Sequence, residues 1–346
     1  MTKQSPDLLL ELLMYVFLCA ASPSLAFILS PIPLERGFAK IPFVSADKLA
    51  SFEIPPENQQ RMIETLCSQL HERFRTYSWQ QPPCEGVSWN AHFQTGQQHP
   101  LLYASFGEGK ETTLILSGVH PDEITPIHLA FRFARHLKRT PEIFEGNGIR
   151  IVVAPLVNPD GFLLEHPTRT NAHGIDVNRN FLTRDWYEKA LGSWVGKNDA
   201  RGRYFPGYFP NTEIETFFQV WLIQNFQPSK ILSIHAPLGF YDYDGPGDEH
   251  TEPLTPGAEK GKQLVRKVAE KSRNYRIVDY SFYPGSLGNF AGNERKVPTL
   301  TLELETTNPS RVEDYWQKFL PGFIHSVQFP YLQGETVLDE PLSVHP

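Results

Sequence analysis

The histidine and glutamate of the segment HPDE, His120 and Glu123, are the first residues whose types and spacing could do chemistry. They directly follow the apolar run LILSGV. A catalytic zinc ion takes three protein ligands of the nitrogen or carboxylate kind and keeps one position for water. His235, which follows another apolar run, would complete such a set. An HxxE pair alone is equally typical of a surface pair or a carboxylate at a helix N-terminus, so the zinc prediction depends on the rest of the chain.

Polar residues follow several predicted strands at the point where each strand ends. His120 and His235 do so, and Glu303 lies near the end of TLELE. Ligands of α/β sheets bind in the crevice beyond the carboxyl ends of the strands, so we expect these side chains to meet at one rim. A carboxylate beside a zinc-activated water can accept a proton and return it to the leaving amine. Glu303 is the candidate for this role, with Glu305 as an alternative because it would share a strand face.

From residue 158 to 181 the chain reads NPDGFLLEHPTRTNAHGIDVNRNF. Together with HPDE, a histidine ending a later strand and TLELE, this run resembles the zinc carboxypeptidase family over about residues 114–306. The addition of SIHAPLGFYDYDGPG and YPGSLGNFAG makes the chain most similar to the bacterial murein peptide amidases of that family. The resemblance implies the carboxypeptidase A-like fold and hydrolysis of the γ-D-glutamyl–diaminopimelate bond of cell-wall peptides.

The resemblance also assigns roles to individual residues. It implies one Zn²⁺ per chain, held by His120, Glu123 and His235, with Glu303 as general base and acid. Four residues of the NPDG to NRNF run have further implied roles: Arg169 stabilises the oxyanion, Asn178 and Arg179 hold the substrate's terminal carboxylate, and Asp176 orients the first zinc histidine.

Substrate recognition is less specified by the sequence. The family's closing tyrosine matches Tyr280, with Tyr283 as a close competitor, and either could be an ordinary half-buried strand tyrosine. Leu287 falls at the pocket position that selects side chains in digestive relatives. Asp242, Asp244 and Asp248 could receive a cationic amine such as that of diaminopimelate, or could form an Asp/Gly turn; Asp244 is the preferred candidate.

Alternating strand-like and helix-like runs from about residue 101 predict an α/β domain. We expect a mixed, mostly parallel sheet with helices on both faces, in a catalytic domain over 101–329. Residues 27–100, with a helix predicted over 57–77 and a hairpin near Gly96, form a small N-terminal accessory segment. Residues 330–346 form a C-terminal tail.

Residues 1–26 predict a signal peptide, because an apolar run precedes Ser24-Leu25-Ala26. The protein would then be exported to the periplasm, without a membrane span after cleavage; the alternative is a cytoplasmic protein. Export would leave Cys67 and Cys84 free to pair or to stay as buried thiols. The net charge of -7 without a dense Lys/Arg run gives no support for a nucleic-acid partner.

Other functions remain open at the level of the sequence. A murein carboxypeptidase that sets cell shape would use the same groups on a different bond. A succinylglutamate desuccinylase or aspartoacylase begins with a similar motif, but NPDG and NRNF weigh against it. A non-catalytic peptide-binding relative is disfavoured because all the expected groups are present. In each catalytic case the partner is a small substrate, and a murein tripeptide is the preferred one.

Overall fold

The computed structural model describes residues 49–246 and 256–332. Within them a 7-stranded sheet has the order β1-β3-β2-β4-β7-β5-β6. The strands are β1 (Ala104–Phe106), β2 (Glu111–Ser117), β3 (Ile149–Ala154), β4 (Lys230–His235), β5 (Phe240–Tyr243), β6 (Ile277–Val278) and β7 (Thr299–Glu303). The central strands β3, β2, β4 and β7 run parallel, whereas β1 and β5 pair antiparallel with β3 and β7. The predicted mixed, mostly parallel sheet is confirmed.

Helices cover both faces of this sheet. They are α1 (Pro56–Thr76), α2 (Ile124–Arg139), α3 (Pro159–Leu163), α4 (Trp186–Asn198), α5 (Ile214–Phe226), α6 (Pro256–Lys271) and α7 (Val312–Gln328), together with a π-helical turn at Gly288–Asn293. Alternate residues of one strand enter different clusters: Ile115 packs with the cluster that includes α1, α2, α6 and α7, whereas Leu114 packs with α5. Every residue of β2 is buried, as expected of a strand covered on both sides.

The topology brings three polar strand ends together. Strands β2, β4 and β7 are neighbours and run in the same direction. His120 comes three residues after β2, and His235 and Glu303 are the last residues of β4 and β7, where they pair in register. The carboxyl ends of these strands therefore carry the candidate site, as the sequence predicts.

The N-terminal accessory segment shares the core of the sheet where it is described. Leu66, Leu70 and Phe74 of α1 are buried in the same cluster as α2 and α7. A disulfide joins Cys67 to Cys84, and the indole N–H of Trp79 donates to the carbonyl of Pro309, 3.0 Å away. The predicted hairpin near Gly96 is present as a bridge between Gln94 and Pro100. The division at residue 100 stays a prediction.

No helix among the described residues is long and apolar enough to cross a membrane. The predicted signal peptide over 1–26 and most of the predicted tail lie outside the described residues. Several described elements were not predicted. They include β1, α3, the helix α4, which buries only a few of its side chains, and the short strand β5, in a segment for which an Asp/Gly turn was one of two interpretations.

Candidate active site

His120, Glu123 and His235 lie together at the sheet rim and are buried. The Glu123 carboxylate bridges the two imidazoles: Oε1 is 3.0 Å from Nδ1 of His120, and Oε2 is 2.9 Å from Nδ1 of His235. One candidate ligand atom from each residue lies within 4.8 Å of the others. Two imidazole nitrogens and one carboxylate are donors that zinc prefers in catalytic sites, so this set fits the metal. Despite burial, the two histidines hold the pKa of Glu123 well below its usual range.

Each of the two imidazoles has a polar partner on its far side. Nε2 of His120 is 3.1 Å from Oδ1 of Asp176, and Nε2 of His235 is 3.0 Å from the Ser233 hydroxyl. Donation from Nε2 leaves the Nδ1 lone pair for a metal, which is how such outer partners fix tautomer and ring orientation. Asp176 thus occupies the predicted position. Ser233 was not predicted, although its place two residues before His235 on the same strand face was a usable signal.

Asp176 is a buried acceptor with several donors. Besides His120, it accepts from Nε of Arg169 at 2.8 Å and from the backbone N–H of Asn178 at 3.0 Å. Although burial opposes it, the Arg169 guanidinium beside Asp176 holds the pKa of that carboxyl well below its usual range. Asp176 is therefore a fixed negative charge that connects the metal ligands to the loop over residues 169–179.

Arg169 reaches the candidate metal site from that loop. This site, formed by His120, Glu123 and His235, is called the metal group below. Its second contact runs from a terminal nitrogen to Oε1 of Glu123, 3.3 Å away. The guanidinium also lies over the ring of Tyr204, 5.0 Å from the ring centroid. The structure therefore places Arg169 beside the candidate metal ligands, and its oxyanion role stays a prediction.

The carboxylates of Glu303 and Glu305 have different partners. Oε2 of Glu303 accepts from the backbone N–H of Leu238 at 3.4 Å, and burial raises the pKa of Glu303 while the His235 charge opposes this shift. Glu305 instead forms an ion pair with Lys318 at 2.6 Å and is exposed. Glu303 is thus next to the metal group, and Glu305 is engaged by α7.

Asn178 and Arg179 follow Asp176 directly. The backbone N–H of Leu287 donates to Oδ1 of Asn178 at 2.8 Å, so the amide N–H groups of Asn178 remain as its donors. The Arg179 guanidinium lies 4.3 Å from the centroid of the Tyr283 ring, and its buried Nε has no hydrogen-bond partner among the described residues. Leu287 itself is buried, and its predicted role as a pocket residue stays a prediction.

The two candidate tyrosines differ in position. Tyr283 lies against Arg179, whereas Tyr280 is 45% exposed and stacks on Phe240. The backbone N–H of Tyr280 donates to Oδ1 of Asp242 at 3.1 Å. The structure therefore brings Tyr283, and not Tyr280, to Arg179 of the predicted carboxylate-binding pair.

Asp244 lies beside Thr301 of β7, on the strand face that also carries Glu303. Its Oδ2 accepts from the Thr301 hydroxyl at 2.9 Å, and burial raises the pKa of Asp244 to about 6, although the Thr301 hydrogen bond and the His235 charge oppose this. A Cβ at Gly288 would collide with the Asp244 side chain, so a larger residue there would displace this carboxylate. Asp248 lies outside the described residues.

Comparisons with known proteins agree with this geometry. The profile of the zinc carboxypeptidase family matches residues 68–321. Murein peptide amidase A of Vibrio campbellii is 30% identical over 234 residues, which cover 66% of this chain and 83% of that protein. Murein peptide amidase A of Escherichia coli K12 is 34% identical over 142 residues, 40% of this chain and 55% of that protein.

Among solved structures, bovine thrombin-activatable fibrinolysis inhibitor in complex with tick carboxypeptidase inhibitor has a TM-score of 0.57 at 16% identity. The match covers 78% of this chain and 95% of that one, and it shows a shared fold. The profile match extends over most of the chain and includes every element that carries the metal group. The chain therefore belongs to the zinc carboxypeptidase family and is a metal-dependent hydrolase of the peptidase or amidase kind.

Proposed function

We propose that this protein hydrolyses an amide bond next to a carboxylate-bearing residue of a murein peptide, and that the bond joins γ-D-glutamate to diaminopimelate. The observation that carries the proposal is a pair of opposite charges beside the metal group. Arg179 offers a guanidinium for a carboxylate, and Asp244 offers a half-buried carboxylate for an amine. Diaminopimelate bears both groups, and the name of the Vibrio campbellii and Escherichia coli relatives supports a murein substrate.

His120, Glu123 and His235 would hold the zinc ion. When bound, zinc supplies a Lewis acid that activates water and polarises the scissile carbonyl. Asp176 and Ser233 keep the two imidazoles in the orientation that binding needs.

Glu303 acts as general base and then as general acid. It accepts a proton from the attacking water and returns it to the leaving amine. Its pKa is raised by burial, which brings it closer to the working pH and improves both halves of this transfer. A neighbouring strand end fixes its distance to the metal group, because His235 and Glu303 pair in register.

Arg169 stabilises the negative charge that develops on the carbonyl oxygen. Two of its N–H groups are already engaged by Asp176 and Glu123, which hold the guanidinium in place before substrate arrives. A donor that is fixed in advance needs no reorganisation at the moment of reaction. Tyr280, which is exposed, closes over the substrate only after moving from its stack on Phe240.

Asn178 and Arg179 bind the carboxylate of the residue that supplies the scissile nitrogen. A guanidinium suits this contact because its planar fork matches a carboxylate. The ring face of Tyr283 packs against the Arg179 guanidinium and stabilises it by a cation–π contact. This contact would place the amide bond that precedes that residue at the metal group.

The test uses murein tripeptide and two analogues in which lysine or norleucine replaces diaminopimelate. Mass identification of the products fixes the bond that is cut, and cleavage elsewhere than at γ-D-glutamate would contradict the proposal. Lysine keeps the distal amine and norleucine lacks it. D244N should therefore reduce the rate of hydrolysis of the tripeptide and of the lysine analogue more than that of the norleucine analogue. Equal losses on all three would exclude Asp244 as the amine site.

We also propose that the protein is exported and cleaved after Ala26. The disulfide between Cys67 and Cys84 supports this proposal, because such bonds persist in oxidising compartments. Amino-terminal sequencing of the protein from the periplasmic fraction should begin at Phe27. Recovery of the uncleaved chain from the cytoplasm would contradict export.

A further inference from the structure

One arginine of the accessory helix contacts the chain just upstream of Arg169. The Arg73 guanidinium donates to the carbonyl of Leu163 at 3.0 Å, to that of Leu164, and to that of Glu165 at 3.3 Å. Glu165 precedes Arg169 by only a few residues. A single side chain of α1 thus binds successive backbone acceptors of the loop that carries the candidate oxyanion residue.

Leu163 is the last residue of α3, Leu164 is its C-cap residue, and Glu165 follows. The last carbonyls of a helix lack partners within it and must be satisfied by other donors. Arginine suits this position, because its donors form a rigid planar fork and its charge favours the helix C-terminus. Arg73 therefore fixes where α3 ends and in which direction the following loop leaves.

The helix that carries Arg73 is itself firmly held. Phe74 is fully buried, and its ring packs edge-on against Phe162 of α3 with centroids 6.3 Å apart. The disulfide at Cys67 ties the same helix to Cys84. Arg73 is thus attached to a fixed support, so its contacts restrain the loop more than they restrain α1.

We propose that Arg73 is a positioning residue that acts through Arg169. This inference rests on the proposed function, in which Arg169 stabilises the developing oxyanion. Removal of the restraint would let the 164–169 loop shift, and Arg169 with it. A small misplacement of a group that acts in the transition state can cost up to about 100-fold in rate, so we expect kcat to fall roughly 10- to 100-fold with little change in KM.

The experiment compares R73Q with R75A on murein tripeptide. Arg75 lies on the same helix, is exposed, and pairs with Glu72, so its replacement should leave kcat, KM and the melting temperature unchanged. R73K retains a charged donor but has no fork, and its kcat should fall between wild type and R73Q. If R73Q unfolds, R73K carries the same test. Zinc content should be equal in all variants.

A double-mutant cycle with R169A tests whether Arg73 affects kcat through Arg169. R73Q should lower kcat in the wild-type background and have no further effect in R169A. An equal loss in both backgrounds, an effect on KM alone, or an unchanged kcat in R73Q would overturn the inference while leaving the proposed function intact. If R169A itself keeps wild-type kcat, the role of Arg169 is wrong and the inference fails with it.

Discussion

The two halves of the candidate site are built differently. The half with His235 and Glu303 consists of adjacent strand ends whose separation is set by the register of β4 and β7. The half with Arg169, Asn178 and Arg179 consists of loop residues held by side-chain contacts to Asp176, Tyr283 and the backbone of Leu287. Strand ends fix groups that must keep a constant distance from a metal, whereas loops allow recognition to vary. The first half should therefore respond to changes in its own functional groups, and the second half also to changes in its supports.

The largest expected effect is on the strand-borne half. E303Q removes the proton acceptor without changing the shape of the side chain, and positioned acid–base groups contribute about 10²- to 10⁴-fold. We expect kcat to fall by this factor with the zinc content unchanged. E305Q is the matched control, because Glu305 pairs with Lys318 away from the metal group. Comparable losses in both variants would show that the sheet does not separate the two carboxylates as described.

Removal of the disulfide tests how far α1 stabilises the half of the site that carries Arg169, Asn178 and Arg179. C67S together with C84S opens a loop with a sequence separation of 17, and a closed loop of this length is worth about 3 kcal/mol of unfolding free energy in the chain-entropy description. Denaturant titration of the variant should show this loss. The oxidised wild type treated with reductant should behave like the variant, and an unchanged midpoint in both would contradict a stabilising bond.

Asp176 joins the two halves, so its replacement should affect both. D176N keeps the size of the side chain but removes the charge that faces His120 and Arg169. Loss of such an outer partner typically costs about 10- to 100-fold in metal affinity or activity. Competition with a chelator should show the loss of metal affinity, and steady-state kinetics the loss of activity, whereas D314N on the exposed face of α7 should change neither. An effect on kinetics alone would assign Asp176 to the loop half only.

Stability against pH tests the packing of α1 on α2, which supports the loop-borne half. His128 is buried against Phe74 and Trp79, and burial lowers its pKa to about 3. Between pH 6.5 and about 3 the unfolded chain binds a proton at this position and the folded chain does not, so stability falls as the pH falls.

The expected slope from His128 approaches at most about 1.4 kcal/mol per pH unit. H128F should lose less stability than wild type when the pH is lowered from 7 to 4, as measured by denaturant titration at each pH. Replacement of His166, which is exposed, by asparagine should leave the slope as it is in wild type. A variant with the wild-type slope would mean that His128 is protonated in the folded protein.

The metal group and the sheet were accessible from the sequence because both depend on local signals. His120 and His235 follow apolar runs, and the alternation of strand-like and helix-like runs predicts a parallel sheet. Ser233 was missed although strand periodicity places it beside His235. The position of Tyr283 over Arg179 depends on two loops that meet only in the folded chain. Helix α4 was missed because Gly192 and Gly196 lie inside it and its apolar residues do not form a single face. The link from Arg73 to the 163–165 carbonyls involves backbone acceptors, which carry no sequence signal.

The contact of Trp79 with Pro309 has a consequence for how the chain folds. These residues are separated by 230 positions, and Gln328 of α7 likewise donates to the carbonyl of Ile143. Contacts between such distant segments slow folding, because a long loop must close before they form. The cluster shared by α1, α2 and α7 is complete only when α7 has been synthesised. We therefore expect the native core to form after translation, and a chain that crosses a membrane unfolded would lose no folded core on the way.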